Sequence, residues 1–128
     1  MITATYPIRA RQYAGWADTL LLEQEIPPVA PATETTWEPI DLTGYTARMM
    51  VRTRQAETAA LLATLDTATT GITIDGPAGT ISLYLPDTLT GLIPAGRWAY
   101  DLRLVPPSAD AEYLIEGPFY MEPSVTTP

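Results

Sequence analysis

The sequence lacks cysteine, histidine, lysine and asparagine. Without cysteine there is no disulfide framework, no thiol nucleophile and no zinc–thiolate site. Without histidine there is no Ser-His triad, no imidazole metal ligand and no histidine acid or base. Without lysine, Schiff-base chemistry and a phosphate-loop lysine are excluded. Positive charge is scarce: seven arginines stand against 15 acidic residues, for a formal charge of -8. That balance opposes a nucleic-acid partner, because the phosphate backbone selects clustered positive charge. No apolar run approaches the roughly 20 residues of a membrane-spanning helix. Met1 to Arg11 has neither the basic start nor the continuous apolar block of a secretory signal. Ser82, Ser108 and Ser124 have no base to activate them. These absences predict no catalytic residue, no cofactor, no metal, and neither nucleic acid nor membrane as partner.

What is present is apolar content and turn punctuation. The 128 residues are 46% hydrophobic, enough for one domain with its own core. Thirteen prolines and eight glycines are spread along the chain. Proline costs about 3 kcal/mol inside a helix, so this spacing disfavours helices. Short segments between frequent turns predict an all-β antiparallel sandwich of seven or eight strands.

The clearest strand is Tyr45 to Arg54. Tyr45, Ala47, Met49 and Val51 alternate with Thr46, Arg48, Met50, Arg52 and Arg54. Ile72 to Ile74 and Thr80 to Leu85 form a hairpin around Asp75-Gly-Pro-Ala-Gly79, with Ile81, Leu83 and Leu85 on one face. Arg97 to Val105 alternates Trp98, Tyr100, Leu102 and Leu104 with polar or smaller residues. Glu112 to Met121 places Tyr113 and Ile115 opposite Glu112, Leu114 and Glu116, then breaks at Gly117-Pro118, a bulge or edge signal. Pro106 to Ala111 joins these last two strands.

The N-terminal part is less regular. Tyr6 to Gln12 reads as an edge strand, and Thr19 to Glu25 as a strand with Leu20 and Leu22 facing one way. Pro27 to Pro39 holds four prolines and reads as an extended loop. Ala56 to Asp66 is either one short helix or a loop followed by a strand from Leu61 to Leu65. Asp87 to Leu92 reads as one helical turn with Leu89 and Leu92 inward. Ser124 to Pro128 reads as a frayed tail or linker.

Three constellations carry possible chemistry. Asp66 with Asp75, and Glu112 with Glu116, are the candidate carboxylate pairs for acid–base work or a hard cation. In a chain this acidic they read as solvated strand carboxylates. The glycines of Asp75 to Gly79 could cradle phosphate only before a helix, and a strand follows. Arg48, Arg52 and Arg54 share one strand face, as a basic stripe or as partners of carboxylates such as Asp101 or Glu116. Arg9 and Arg11 pair likewise or lie at a subunit contact. Tyr13, Trp16 and Trp37 fall outside the clear strands. Loop aromatics either anchor an interface or plug the open end of a sandwich; Trp98 reads as core.

Taken in order, these segments resemble small tailed-bacteriophage virion proteins of the baseplate and tail-fibre attachment type. The residues are Asp41-Leu-Thr-Gly-Tyr-Thr-Ala-Arg-Met-Met-Val-Arg52, Gly71-Ile-Thr-Ile74, Gly79-Thr-Ile-Ser-Leu83, Asp87-Thr-Leu-Thr90, Gly96-Arg-Trp-Ala-Tyr-Asp-Leu102 and Leu114-Ile-Glu-Gly117. The resemblance implies an immunoglobulin-like β-sandwich and a non-enzymatic adaptor in the virion tail, made in the host cytoplasm. Its partners would be other tail, baseplate or fibre proteins. It would act as a homo-oligomer or in several copies, a trimer among them. Residues 27–39 depart from that pattern, where a shorter turn is expected. The alternative is a carbohydrate- or host-surface-binding sandwich that uses its exposed aromatics.

Overall fold

A computed structural model describes residues 3–31 and 33–127. The fold is all-β, with two packed sheets and a separate two-stranded arm. Among the described residues eleven strands follow in chain order: β1 (Ala4–Thr5), β2 (Ile8–Arg11), β3 (Trp16–Leu21), β4 (Glu23–Ile26), β5 (Thr36–Pro39), β6 (Thr46–Arg52), β7 (Leu61–Asp66), β8 (Ile72–Asp75), β9 (Thr80–Leu85), β10 (Gly96–Val105) and β11 (Glu112–Glu122). One helical turn, α1 (Asp87–Thr90), stands between β9 and β10.

The large sheet runs β1-β11-β10-β6-β7, with β2 also on β11. The small sheet runs β3-β9-β8, and β4 pairs only with β5. Pairing is antiparallel except where β1 and β2 lie parallel to β11. Alternation explains the core. Ala47, Met49 and Val51 of β6, Tyr100, Leu102 and Leu104 of β10, and Ile81, Leu83 and Leu85 of β9 are all buried. Phe119 of β11 lies between the sheets, with Trp16 of β3 edge-on to it at 6.3 Å.

Residues 45–127 largely follow the expected pattern. Residues 56–66 resolve to a loop and the strand β7, because Leu65 and Ala63 pair with Met49 and Val51 on the inner face. β11 does not break at Gly117-Pro118. It is an interior strand, and its irregularity is at Leu114, skipped between the pairs Leu102–Ile115 and Arg103–Tyr113. The bulge turns Ile115 inward and leaves Tyr113 exposed, so these two do not share a face. Gly117 and Pro118 lie where the neighbour of β11 changes from β1 to β2. Pro118 can have no ladder donor, and the gap in pairing asks for none. At Gly117, φ is +151°, and a Cβ would stand 3.2 Å from the carbonyl oxygen of Tyr6.

The described residues up to position 40 depart most, holding five strands rather than two. The first expected strand, Tyr6 to Gln12, is β2, and β1 is an additional strand ahead of Tyr6-Pro7. Leu22 divides the second: its N–H donates to Gly79 O and its carbonyl accepts from Ile40 N, both at 2.8 Å. Beyond it, residues 36–39, expected as loop, form β5. In α1 the inward residue is Thr90, whose hydroxyl donates to Ala14 O at 2.9 Å, followed by the buried Ile93. Leu89 and Leu92 are exposed instead of inward. Among the described residues no helix is long and apolar enough to cross a membrane.

Candidate interaction surface

The three aromatics singled out in the sequence go to three different places. Trp16 is on the inner face of β3, partly buried and packed against the core. Tyr13 has φ +61° and is 41% exposed; its ring lies on Gly91, where a Cβ would stand 2.5 Å from Cε1. Together with Leu92 and Thr126 it lines an open groove of about 500 Å³. The C-terminal residues thus run beside this groove, although Pro128 is outside the described residues. Trp37 is 61% exposed on β5, opposite Glu25. Tyr13 precedes β3 and Trp37 follows it, so about 20 Å of strand separates them. They do not form one cluster. Trp98 is only partly buried, its indole N–H donating to Pro94 O at 2.8 Å.

The residues expected to carry chemistry are drawn apart or into pairs. Asp66 accepts from Arg48 Nε at 2.6 Å and from the backbone N–H of Ala68 at 2.8 Å. That backbone bond first, and Arg48 second, hold its carboxyl below the usual range. Asp75 lies elsewhere, at the start of the hairpin turn, where it accepts from Ala78 N. The glycines of that turn pack on protein rather than on an anion. A Cβ at Gly79, with φ +68°, would stand 2.7 Å from Ile40 O, and Leu42 N donates to Gly76 O. Arg9 pairs with Glu122 at 3.8 Å and lies over the ring of Tyr120. Arg52 donates to Ala59 O at 3.0 Å and fastens the loop after β6.

One carboxylate pair follows from strand register rather than from sequence spacing. Asp101 stands directly across from Glu116, because the bulge at Leu114 advances β11 by one residue. Asp101 borders an open groove of about 420 Å³, lined also by Met50, Arg52, Gln55 and Tyr113. Burial first, then Glu116, push the Asp101 carboxyl up, against Arg52. Glu116 accepts from Gln55 Nε2 at 2.6 Å. Among the described residues no group of three or more acidic side chains gathers as a metal site would require.

The remaining surface of interest is the outer face of the small sheet. Its rows are Ala17–Tyr84, Thr19–Ser82–Thr73 and Leu21–Thr80–Asp75. Hydroxyl and apolar groups cover it; Asp75 at one corner is its single charge among these positions. Tyr84 is 53% exposed and Leu21 is 56% exposed. Strands β3 and β8 also leave their outer edges outside any named ladder. The arm, β4 with β5, continues from β3 past Leu22. All but one of its eight residues are exposed, and it carries Glu23, Glu25 and Glu38. No protein-family model and no curated protein matches the chain.

Proposed function

We propose that this chain is a non-enzymatic structural protein of a tailed-phage virion, a tail or baseplate adaptor that holds a fibre or neighbouring tail protein. The observation that carries an adaptor role is the nearly charge-free outer face of the small sheet. A solvated strand face in so acidic a protein would normally carry carboxylates. This one carries Thr19, Ser82, Thr73, Thr80, Leu21 and Tyr84, and charge depletion is the compositional mark of an interface centre. The phage assignment itself rests on the resemblance of the segments from Asp41 onward, which also implies the immunoglobulin-like class of sandwich. Mass spectrometry of purified particles tests it: the protein is expected in stoichiometric amount with tail components. Absence from particles, with a monomer in solution, overturns it.

A second reading has one observation in its favour, the exposed indole of Trp37. Sugar rings stack on such surfaces. If the arm binds glycan, Trp37→Ala abolishes retention on a host-surface glycan array and leaves assembly intact. An adaptor gives the opposite result. Trp16, which belongs to the core, discriminates nothing.

A further inference from the structure

Charge is divided unequally between the two halves of the sandwich. All seven arginines lie on the large sheet or its loops: Arg9 and Arg11 on β2, Arg48 and Arg52 on β6, Arg54 just after it, Arg97 and Arg103 on β10. Seven acidic residues accompany them there, from Glu57 to Glu122, so that half is neutral. The other half, from β3 through the arm to residue 41, then β8, β9 and α1, has eight acids and no base. The whole formal charge of -8 therefore resides on the half that bears the bare sheet face.

We infer that this half docks a cationic protein surface, with the hydroxyl and apolar rows of the sheet face as the centre of the contact and the acidic arm and rim as its steering edge. The inference rests on the adaptor reading and names the chemistry of its partner. An uncharged centre inside a polar rim is the ordinary anatomy of a protein interface. From strand spacing and rise the three-stranded face measures only about 14 Å by 20 Å. That is well short of the roughly 800 Å² each partner gives a standard interface, so the arm must contribute. The arm also needs a partner: a two-stranded ribbon without its own core is marginally stable in water.

The sign of the partner follows from the rim. Glu23, Glu25, Glu34, Glu38, Asp75 and Asp87 all belong to this half, with no arginine among them. A second copy of this chain is a poor occupant. Its acidic half repels, and its arginine-bearing half is neutralised by its own carboxylates, including Asp66 and Glu122. An arginine- or lysine-rich protein face gains from every rim carboxylate and is drawn in faster at low salt.

The test titrates the full chain with an oligo-arginine peptide and follows backbone amide shifts by NMR. Shifts are expected on β3, β4, β5 and β9. Removing two arm charges, Glu23→Gln with Glu25→Gln, weakens binding about fivefold, as two exposed ion pairs would give. Removing two charges from the other half, Glu57→Gln with Asp110→Asn, changes it less than about twofold. Both variants lose the same net charge, so location alone separates them. Shifts centred on the large sheet, equal weakening in both variants, or no binding at low salt overturns the inference. Particle mass spectrometry judges the virion reading separately, since it does not depend on where the peptide binds.

Discussion

On the large sheet the outward positions of β6, β10 and β11 include Arg48, Arg52, Arg97, Asp101, Arg103 and Glu116. On the small sheet those of β3, β9 and β8 include Thr19, Leu21, Ser82, Tyr84 and Thr73. Both faces arise from the same period-two alternation over one shared core. The first is laced by charge: Arg48 to Asp66, Arg9 to Glu122, Gln55 to Glu116. Each charged group there holds water that a docking partner would have to strip. The second face offers groups whose desolvation costs little. Inward positions therefore report the fold, whereas outward positions report what each sheet meets.

The largest test is to charge the bare face. Thr19→Arg or Ser82→Arg should cost binding about 3 kcal/mol or more, over a hundredfold, because the new charge is buried unpaired on docking. Recovery in purified particles measures this. Thermal unfolding should move by less than about 0.5 kcal/mol, since both sites are at the surface of the free protein. Thr64→Arg on the charged face should change neither. If it is as harmful as Ser82→Arg, the contrast between the faces is broken.

Next is the link that holds the faces together. Tyr100 of the large sheet donates its hydroxyl to the carbonyl of Tyr6, and Tyr6 donates its own to Asp18 of the small sheet at 2.6 Å. Burial, reinforced by Tyr6, Asp18 and Glu116, pushes the Tyr100 phenol well up, so it remains a donor at any ordinary pH. Gly117 lets the Tyr6 backbone pass. Gly117→Ala should destabilise by about 2–3 kcal/mol through backbone strain and displacement of Tyr6, read by chemical denaturation.

Two carboxylates on the charged face should respond in opposite directions. The depressed pKa of Asp66 means that on acidification the unfolded chain takes up this proton before the folded one. Its stabilisation is full above the unfolded value of about 3.9 and is lost as pH falls through the folded value. Asp66→Asn should cost about 2 kcal/mol at neutral pH, and the difference should close below about pH 4. The raised pKa of Asp101 gives the reverse: ionisation costs stability as pH rises above the unfolded value. Asp101→Asn should therefore gain about 0.5 kcal/mol at neutral pH, a gain that disappears on acidification. Denaturation midpoints across pH 3 to 7 check both, with these bounds bracketing roughly the carboxylate range.

How much could be read from sequence followed burial. β6, β9 and β10 each have one face in the core, and their alternation was plain. β4 and β5 touch no core, so no periodicity marks them: Glu23 to Glu25 of β4 reads as a continuation of β3, and β5 reads as loop. In α1 a single turn was too short to define a face; the hydroxyl of Thr90, bonded to Ala14, took the inward place assigned to Leu89. The Asp101–Glu116 pair was hidden by one residue of bulge at Leu114, which no alternation rule anticipates. Trp37 and Tyr13 were found as loop aromatics, but Trp16 was not separable from them until its strand was known.

The parallel pairing of β1 and β2 with β11 also sets an order in time. Residues 4–11 gain their strand partners only from residues 115–122. During synthesis residues 4–11 wait for residues 115–122 to emerge. The same delay holds back the Tyr6 bridge between the sheets. Until residues 115–122 are made, the arm and the bare face of β3 belong to an unfinished sandwich. In the adaptor reading, a partner that contacts both together meets only sandwiches that already hold residues 115–122.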